Sequence, residues 1–330
     1  MEKKPFDPNT DPYAAGYDRQ GVEAGLYNLA PLHDTDGQAI NAHGAGVLYH
    51  GGIYYLYGEI KKGPTRLVPD QGWDDYRVEA GGVACYSSRD LRAWTNEGVV
   101  LAPELTDADS DLHTSKVLER PKVIYNARTG KFVLWLHVDR EDYGYARAGV
   151  AVSDHPAGPF RYLGSVRPNG QLSRDMTLFR DEDGSAWLLY TSEDNATMHV
   201  CRLSDDYCSP TTEYKRILIG QRREAPAVFR QGGKYYLVTS SCSGWDPNAA
   251  DYAVAECMMG DWVPQGNPCV GPGAETTFDS QGSYVLPLGN GEFLFLADRW
   301  NKTDLERSGY LWLPLRVEEG RVIIIFAGLK

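Results

Sequence analysis

Apolar residues along the chain fall into short runs of strand length, and the runs come in pairs joined by a glycine-bearing turn. The unit is an apolar run, a tight turn, then an aromatic-rich run. It reads HGAGVLYHGGIYYLYGE from His43, RPKVIYNARTGKFVLWLH from Arg120 and RDMTLFRDEDGSAWLLY from Arg174. It returns as EAPAVFRQGGKYYLVTS from Glu224 and QGSYVLPLGNGEFLFLADRW from Gln281. The turns carry Gly51-Gly52, Thr129-Gly130, Asp183-Gly184, Gly232-Gly233 and Asn290-Gly291, dipeptides suited to hairpins that need positive φ. Further strand-like segments follow each hairpin, at 81–94, 148–164, 198–207, 252–263 and 310–325. Five units of about four strands predict an all-β, five-bladed β-propeller, an architecture that closes radially and leaves only short edges. A helical solenoid would need a 3.6-residue apolar period, which the chain lacks. A two-sheet sandwich is the structural alternative, and five like units without linkers between them argue against it. The whole of 1–330 is expected to form one propeller domain. Residues 1–40, rich in Asp, Gly and Pro, are expected to be irregular and to pack over the closure between the first and last blades.

Composition narrows the partners. The 330 residues carry a net charge of −12, which repels phosphate backbones and anionic lipid heads but not a neutral polysaccharide. Nucleic acid and membrane are therefore excluded as expected partners, and an oligo- or polysaccharide remains. No apolar run is long enough to span a bilayer. The N-terminus, MEKKPFDPNTDPY, has no leader-like apolar stretch, so the expected location is cytoplasmic, or outside the cell with a leader already removed. The six cysteines form no CxxC pair and no zinc-like spacing, and are expected to be scattered thiols. Neither a metal site nor a cofactor motif is implied. Aromatic residues, at 12%, suit a pleated core and equally suit stacking on sugar rings.

In a propeller the innermost strands all run the same way along the central channel, so the residues just before their apolar runs meet at one mouth. Those positions hold Asn41 and His43, Glu119 and Arg120, Arg174 and Asp175, Glu224, and Gln281. Any one of them could cap a strand or form an ion pair. Five stretches that each deliver a polar group, three of them carboxylates, describe a reactive site, because charges packed in a narrow mouth cost desolvation. Glycoside hydrolysis needs a protonated carboxyl at the leaving oxygen and a group across the ring that activates water. A further carboxylate beside the acid raises its pKa by like-charge repulsion.

The stretches 41–59, 119–137, 173–184, 224–248, 280–288 and 298–300 together resemble glycoside hydrolase family 43, and its exo-β-1,3-galactanase branch most closely. The resemblance implies an inverting hydrolase in which Glu224, in Glu-Ala-Pro, is the general acid and Asp175, in Ser-Arg-Asp, tunes its pKa. Most of the family opens its first blade with an Asp-Pro general base, where this chain has Asn41-Ala42-His43-Gly44. The galactanase branch shares that loss. A last-blade glutamine takes the base's place there, and Gln281 falls at the matching position. Glu119 is the other candidate base, or else a ligand of sugar hydroxyls. The favoured assignment has Gln281 orienting the water and Glu119 holding substrate. Glu59, Tyr143 and Trp245 match branch positions that contact the sugar, and His43 is expected to touch substrate or lie on the channel floor. The activity implied is release of galactose from β-1,3-galactan. The alternatives are a β-galactofuranosidase or α-L-arabinofuranosidase on the same scaffold, and a sugar-binding propeller without catalysis.

Overall fold

The computed structural model describes residues 32–69, 71–289 and 291–326. Its strands form five antiparallel blades, each numbered here from the channel outward. The innermost strands are His43–His50, Val117–Asn126, Met176–Arg180, Arg223–Gln231 and Gln281–Gly289. Each turns back into a second strand: Ile53–Lys61, Lys131–Asp139, Ala186–Ser192, Lys234–Ser241 and Glu292–Arg299. These are the five predicted hairpins, and Gly52, Gly130, Gly184, Gly233 and Gly291 all have φ between 70° and 82° at their turns. The first four blades hold four strands each, and the fifth gains a short parallel strand from Cys269–Val270. No helix among the described residues is long and apolar enough to cross a membrane. All six cysteines are free thiols, three of them buried and Cys257 exposed.

The apolar runs are continuous because each blade is covered on both faces. On the second strand of blade one, Tyr54 and Leu56 face one neighbour while Tyr55 and Tyr57 face the other. On that of blade two, Leu134 and Leu136 face blade one, and Val133 and Trp135 face blade three. The core is accordingly five apolar wedges, one between each pair of adjacent blades. Burial of apolar surface in these wedges is the main force that holds the ring.

Among the described residues, no strand is shared between the first and last blades, so the ring closes through side chains. The closing wedge sets Val47, Leu56 and Trp94 against Leu286, Leu294 and Trp312, with the Trp94 and Trp312 rings edge-on at 5.9 Å. Leu32 and Ile40 join this wedge, which places residues 32–40 at the closure; the rest of the predicted N-terminal segment, 1–31, lies outside the described residues. One hydroxyl latches the seam. Tyr310 Oη accepts from the Ala42 amide at 2.8 Å and donates to the Ile40 carbonyl at 3.0 Å.

Where four of the five innermost strands begin, their pairing is interrupted. The register breaks between His43 and Gly46, Glu119 and Lys122, Glu224 and Ala227, and Gly282 and Tyr284. The residues after His43, Glu119 and Glu224 are left-handed, with φ of 54° at Gly44, 55° at Arg120 and 52° at Ala225. Bulges of this kind re-aim a side chain, here toward the channel mouth. Gly44 is required sterically as well, since a Cβ there would sit 2.9 Å from Glu59 Oε2 and 3.2 Å from the Arg120 amide.

Replacing Tyr310 with Phe should leave the Ala42 amide buried without an acceptor and cost roughly 1–3 kcal/mol. Denaturant unfolding checks this, and an unchanged midpoint would mean that the latch contributes nothing.

Candidate active site

The five strand openings converge on a cavity of about 560 Å³. Of the eight residues singled out in the sequence, seven line it: Glu59, Glu119, Tyr143, Asp175, Glu224, Trp245 and Gln281. His43 does not. It is buried beneath, with its ring stacked on Tyr310 at 4.8 Å and Nδ1 3.0 Å from Asp298 Oδ1. Asp298 also accepts from the Gly44 amide, so His43 and Asp298 together fix the first bulge.

Arg120 lies at the centre of the floor. Its left-handed backbone turns the amide onto Glu59 Oε2 at 2.7 Å. Its guanidinium donates to the Gly282 carbonyl at 3.1 Å and to Gln281 Oε1 at 2.6 Å, and pairs with Asp175 Oδ2 at 3.0 Å. Asp175 Oδ2 in turn accepts from the Ala225 amide at 2.9 Å. Through these contacts the buried guanidinium ties blade two to the openings of blades three and five, the Arg120 amide ties it to blade one, and Asp175 extends the link to blade four. Below it the channel is filled by Lys122, whose Nζ donates to the carbonyls of Gly44 at 2.7 Å and Arg120 at 3.3 Å. Gly46 makes room for that side chain, since a Cβ there would lie 2.5 Å from Lys122 Cδ. Burial and the neighbouring Arg120 push the Lys122 ammonium down to about 7.

The carboxyls in the cavity are tuned in opposite directions. Burial, and then the Asp175 charge, push Glu224 up to about 8, with Arg120 opposing. Its oxygens meet Gln281 Nε2 at 3.0 Å and Asn195 Nδ2 at 3.4 Å. For Glu119 burial also opposes ionisation, but Lys61, the neighbouring His137 and Arg77 outweigh it and hold the carboxyl well below its usual range. Lys61 Nζ and Arg77 Nη1 each lie 3.3 Å from Glu119 Oε1. His137 lies 3.6 Å from the other oxygen and is pushed up to about 9, because Asp139 at 2.9 Å and Glu119 overcome its burial. Glu59 is raised by burial and by Glu119, against the Lys61 charge at 3.0 Å.

Gln281 has all its hydrogen-bonding positions engaged. Oε1 accepts from Arg120 and, at 3.0 Å, from Trp300 Nε1; Nε2 donates to Glu224 and to Ser240 Oγ, each at 3.0 Å. Aromatic rings form the walls. Trp245 and Trp300 stand edge-to-face at 5.0 Å, with Lys61 over both. Tyr143 stacks near His137, and its loop is held by Asp139 Oδ1, which accepts from the amides of Arg140, Tyr145 and Ala146. Glu119, His137 and Asp175 bring ligand-type atoms within 4.8 Å of one another. Lys61, Arg77 and Arg120 already match both carboxylates, so the trio has no spare negative charge for a cation.

Sequence reasoning missed several lining residues. Arg120 was placed at the mouth by the sequence but given no role there; Trp300 was missed, although it ends the last-blade motif already noted. Trp73, His137, Asn195 and Cys242 also line the cavity. Asn195 closes a run of three left-handed residues, 193–195, pinned by the paired contacts of Arg216 with Glu193. No local pattern in the sequence marks that placement.

This geometry suits protonation of a leaving oxygen inside a pocket rich in sugar-compatible rings and acceptors. No curated protein sequence matches the chain. Among solved structures, the family 43 β-1,3-galactosidase BT3683, solved with galactodeoxynojirimycin, is 40% identical over 92% of this chain and 99% of its own, with a TM-score of 0.84. An exo-β-1,3-galactanase from Phanerochaete chrysosporium, solved with galactose, is 34% identical over 90% of this chain and 66% of its own, with a TM-score of 0.81. One from Clostridium thermocellum is 34% identical over 90% of this chain and 64% of its own, with a TM-score of 0.78. The family model for glycosyl hydrolases family 43 matches residues 70–283. On that match, and on 40% identity across nearly its whole length to a solved member, the protein belongs to glycosyl hydrolases family 43.

Proposed function

We propose that the protein is an inverting exo-β-1,3-galactanase that releases galactose from the end of a β-1,3-galactan. The observation that carries the reading is Glu224, a cavity carboxyl raised to about 8 beside Asp175. Such a group holds its proton at neutral pH and can give it to a glycosidic oxygen as the bond breaks. A sugar-binding propeller without catalysis has no use for a carboxyl tuned in this way. The substrate follows from the relatives, which are named as β-1,3-galactosidases and exo-β-1,3-galactanases. Chain-end attack is supported by the filled channel: with Lys122 and Arg120 closing the floor, a polymer cannot thread through, and a terminus fits a pocket open at one end.

Glu119 and Gln281 divide the remaining work. A general base is most effective with a pKa near the working pH. Lys61, Arg77 and His137 hold Glu119 far below that, which makes it a weak base and keeps it ionised as an acceptor for sugar hydroxyls. Glu119 therefore holds the substrate, together with Glu59, Tyr143 and Trp245. Gln281 orients the attacking water on the face of the ring opposite the departing oxygen; the entering ring parts Gln281 Nε2 from Glu224, and the water takes the place of that contact. Donors from Arg120 and Trp300 on Oε1 favour the amide tautomer, because the imidic form would carry a proton on that same oxygen. Gln281 thus acts by placing the water and not by strong basicity.

Glu224→Gln should lower kcat on β-1,3-galactan at least about a hundredfold, the usual contribution of a general acid, while galactose affinity survives. Turnover retained in steady-state assays, with binding checked by calorimetry, would remove the role. The protonated acid is the working form, so kcat/KM should fall as pH rises through about 8. Asp175→Asn removes the repulsion that favours the protonated form and should move this alkaline limb to lower pH. A limb that stays in place, or moves up, contradicts the coupling.

A further inference from the structure

Between the second and third strands of blade one the chain makes an excursion, described over residues 62–69 and 71–79 and built on a small hairpin of Arg66–Leu67 and Tyr76–Arg77. It leaves the strand that carries Glu59 and runs across the mouth of the cavity. It is anchored on three sides. The Gly63 amide donates to Glu306 at 3.0 Å, and the Leu305 amide donates to Thr65 Oγ1 at 2.8 Å. Arg66 pairs with Glu141 on blade two. Lys302 bridges Asp74 of the hairpin and Asp246 of the blade-four loop, at 3.5 and 2.8 Å. Its base is tied to the floor, since Arg77 pairs with both Asp75 and Glu119.

The tip of this hairpin holds Trp73, whose indole lines the cavity yet remains 38% exposed. The indole lies 6.0 Å from the Tyr143 ring and against Gly244, where a Cβ would come within 2.7 Å of Trp73 Cε3. The depth of the cavity is therefore graded. Glu59, Glu119, Arg120 and Gln281 are buried at the floor, whereas Trp73, Asp142, Ser243 and Gly244 are exposed at the rim. In a pocket entered by a chain terminus, the terminal sugar occupies the floor and the sugar it leaves behind occupies the rim. Two further atoms ask for a ligand. Asn195 and Trp245 line the cavity, and their Oδ1 and Nε1 atoms are buried with no hydrogen-bond partner. They offer an acceptor and a donor to hydroxyls, while an exposed indole offers a flat apolar face to a sugar ring.

We propose that Trp73 is the stacking platform for the sugar on the leaving-group side of the scissile bond, so that the blade-one hairpin sets the preference for substrates carrying a second sugar. The proposal rests on the galactanase reading. The platform works only when that second sugar is present, and its contribution therefore appears as a difference between two substrates.

The test compares β-1,3-galactobiose with β-galactosyl fluoride, whose leaving group places no sugar at the rim. In Trp73→Ala the ratio of kcat/KM for the disaccharide to kcat/KM for the fluoride should fall at least about tenfold. Trp73→Tyr, which keeps a ring, should restore most of the ratio, and it keeps the test decisive if the Ala variant does not fold. A ratio unchanged from wild type in both variants, or parallel losses on both substrates, overturns the proposal. Wild-type protein inactive on both galactosides overturns the galactanase reading itself, and this proposal with it.

Discussion

The active-site floor depends on one buried guanidinium. Arg120 extends from the bulged opening of blade two; its guanidinium engages Asp175, Gln281 and the Gly282 carbonyl and its backbone amide engages Glu59, while Asp175 passes the connection on to the Ala225 amide of blade four. A buried charge is tolerable only when its hydrogen-bonding capacity is met, and the partners that meet it stand at the openings of blades three and five. The same contacts that satisfy the cation therefore hold the reactive side chains in one place. The left-handed backbone at Arg120 costs conformational energy, and the packing of five blades around it stabilises that conformation.

Around this cation, three carboxyls of similar chemistry acquire different roles. Glu224 sits between burial and Asp175 and keeps its proton; Glu119 sits among Lys61, Arg77 and His137 and loses it. Asp175 is paired with Arg120 on one oxygen and stays close enough to Glu224 to disfavour a second charge. Environments that push pKa values apart are how one scaffold supplies both a proton donor and a fixed anion at one pH. The absent first-blade Asp fits this arrangement. At the opening of the first blade His43 and Asp298 secure the backbone of the bulge, and the proposed mechanism gives the placing of water to Gln281.

The five blades were legible because both faces of each sheet are buried, which writes near-continuous apolar runs broken by turn glycines. The convergence of Glu119, Asp175, Glu224 and Gln281 was legible for a related reason, since equivalent positions before equivalent strands must share one mouth. His43 marks the limit of that reasoning. It occupies an equivalent position, yet the Gly44 bulge and Asp298 draw its ring beneath the cavity. Trp73 and Asn195 were not legible at all, because they arrive on loops whose course depends on distant anchors such as Lys302 and Arg216. Lys122 read as part of an apolar strand, and only the coordinates show that it threads past Gly46 to plug the channel.

The central claim is that a single terminal sugar is held on the Arg120 floor with its glycosidic oxygen presented to Glu224. A crystal structure of the Glu224→Gln protein with β-1,3-galactobiose tests it most directly. The account predicts the non-reducing galactose against Glu119 and Gln281, with the residue-224 amide about 3 Å from the bridging oxygen. A disaccharide resting on the outer surface, with the floor residues touching none of it, would contradict the account.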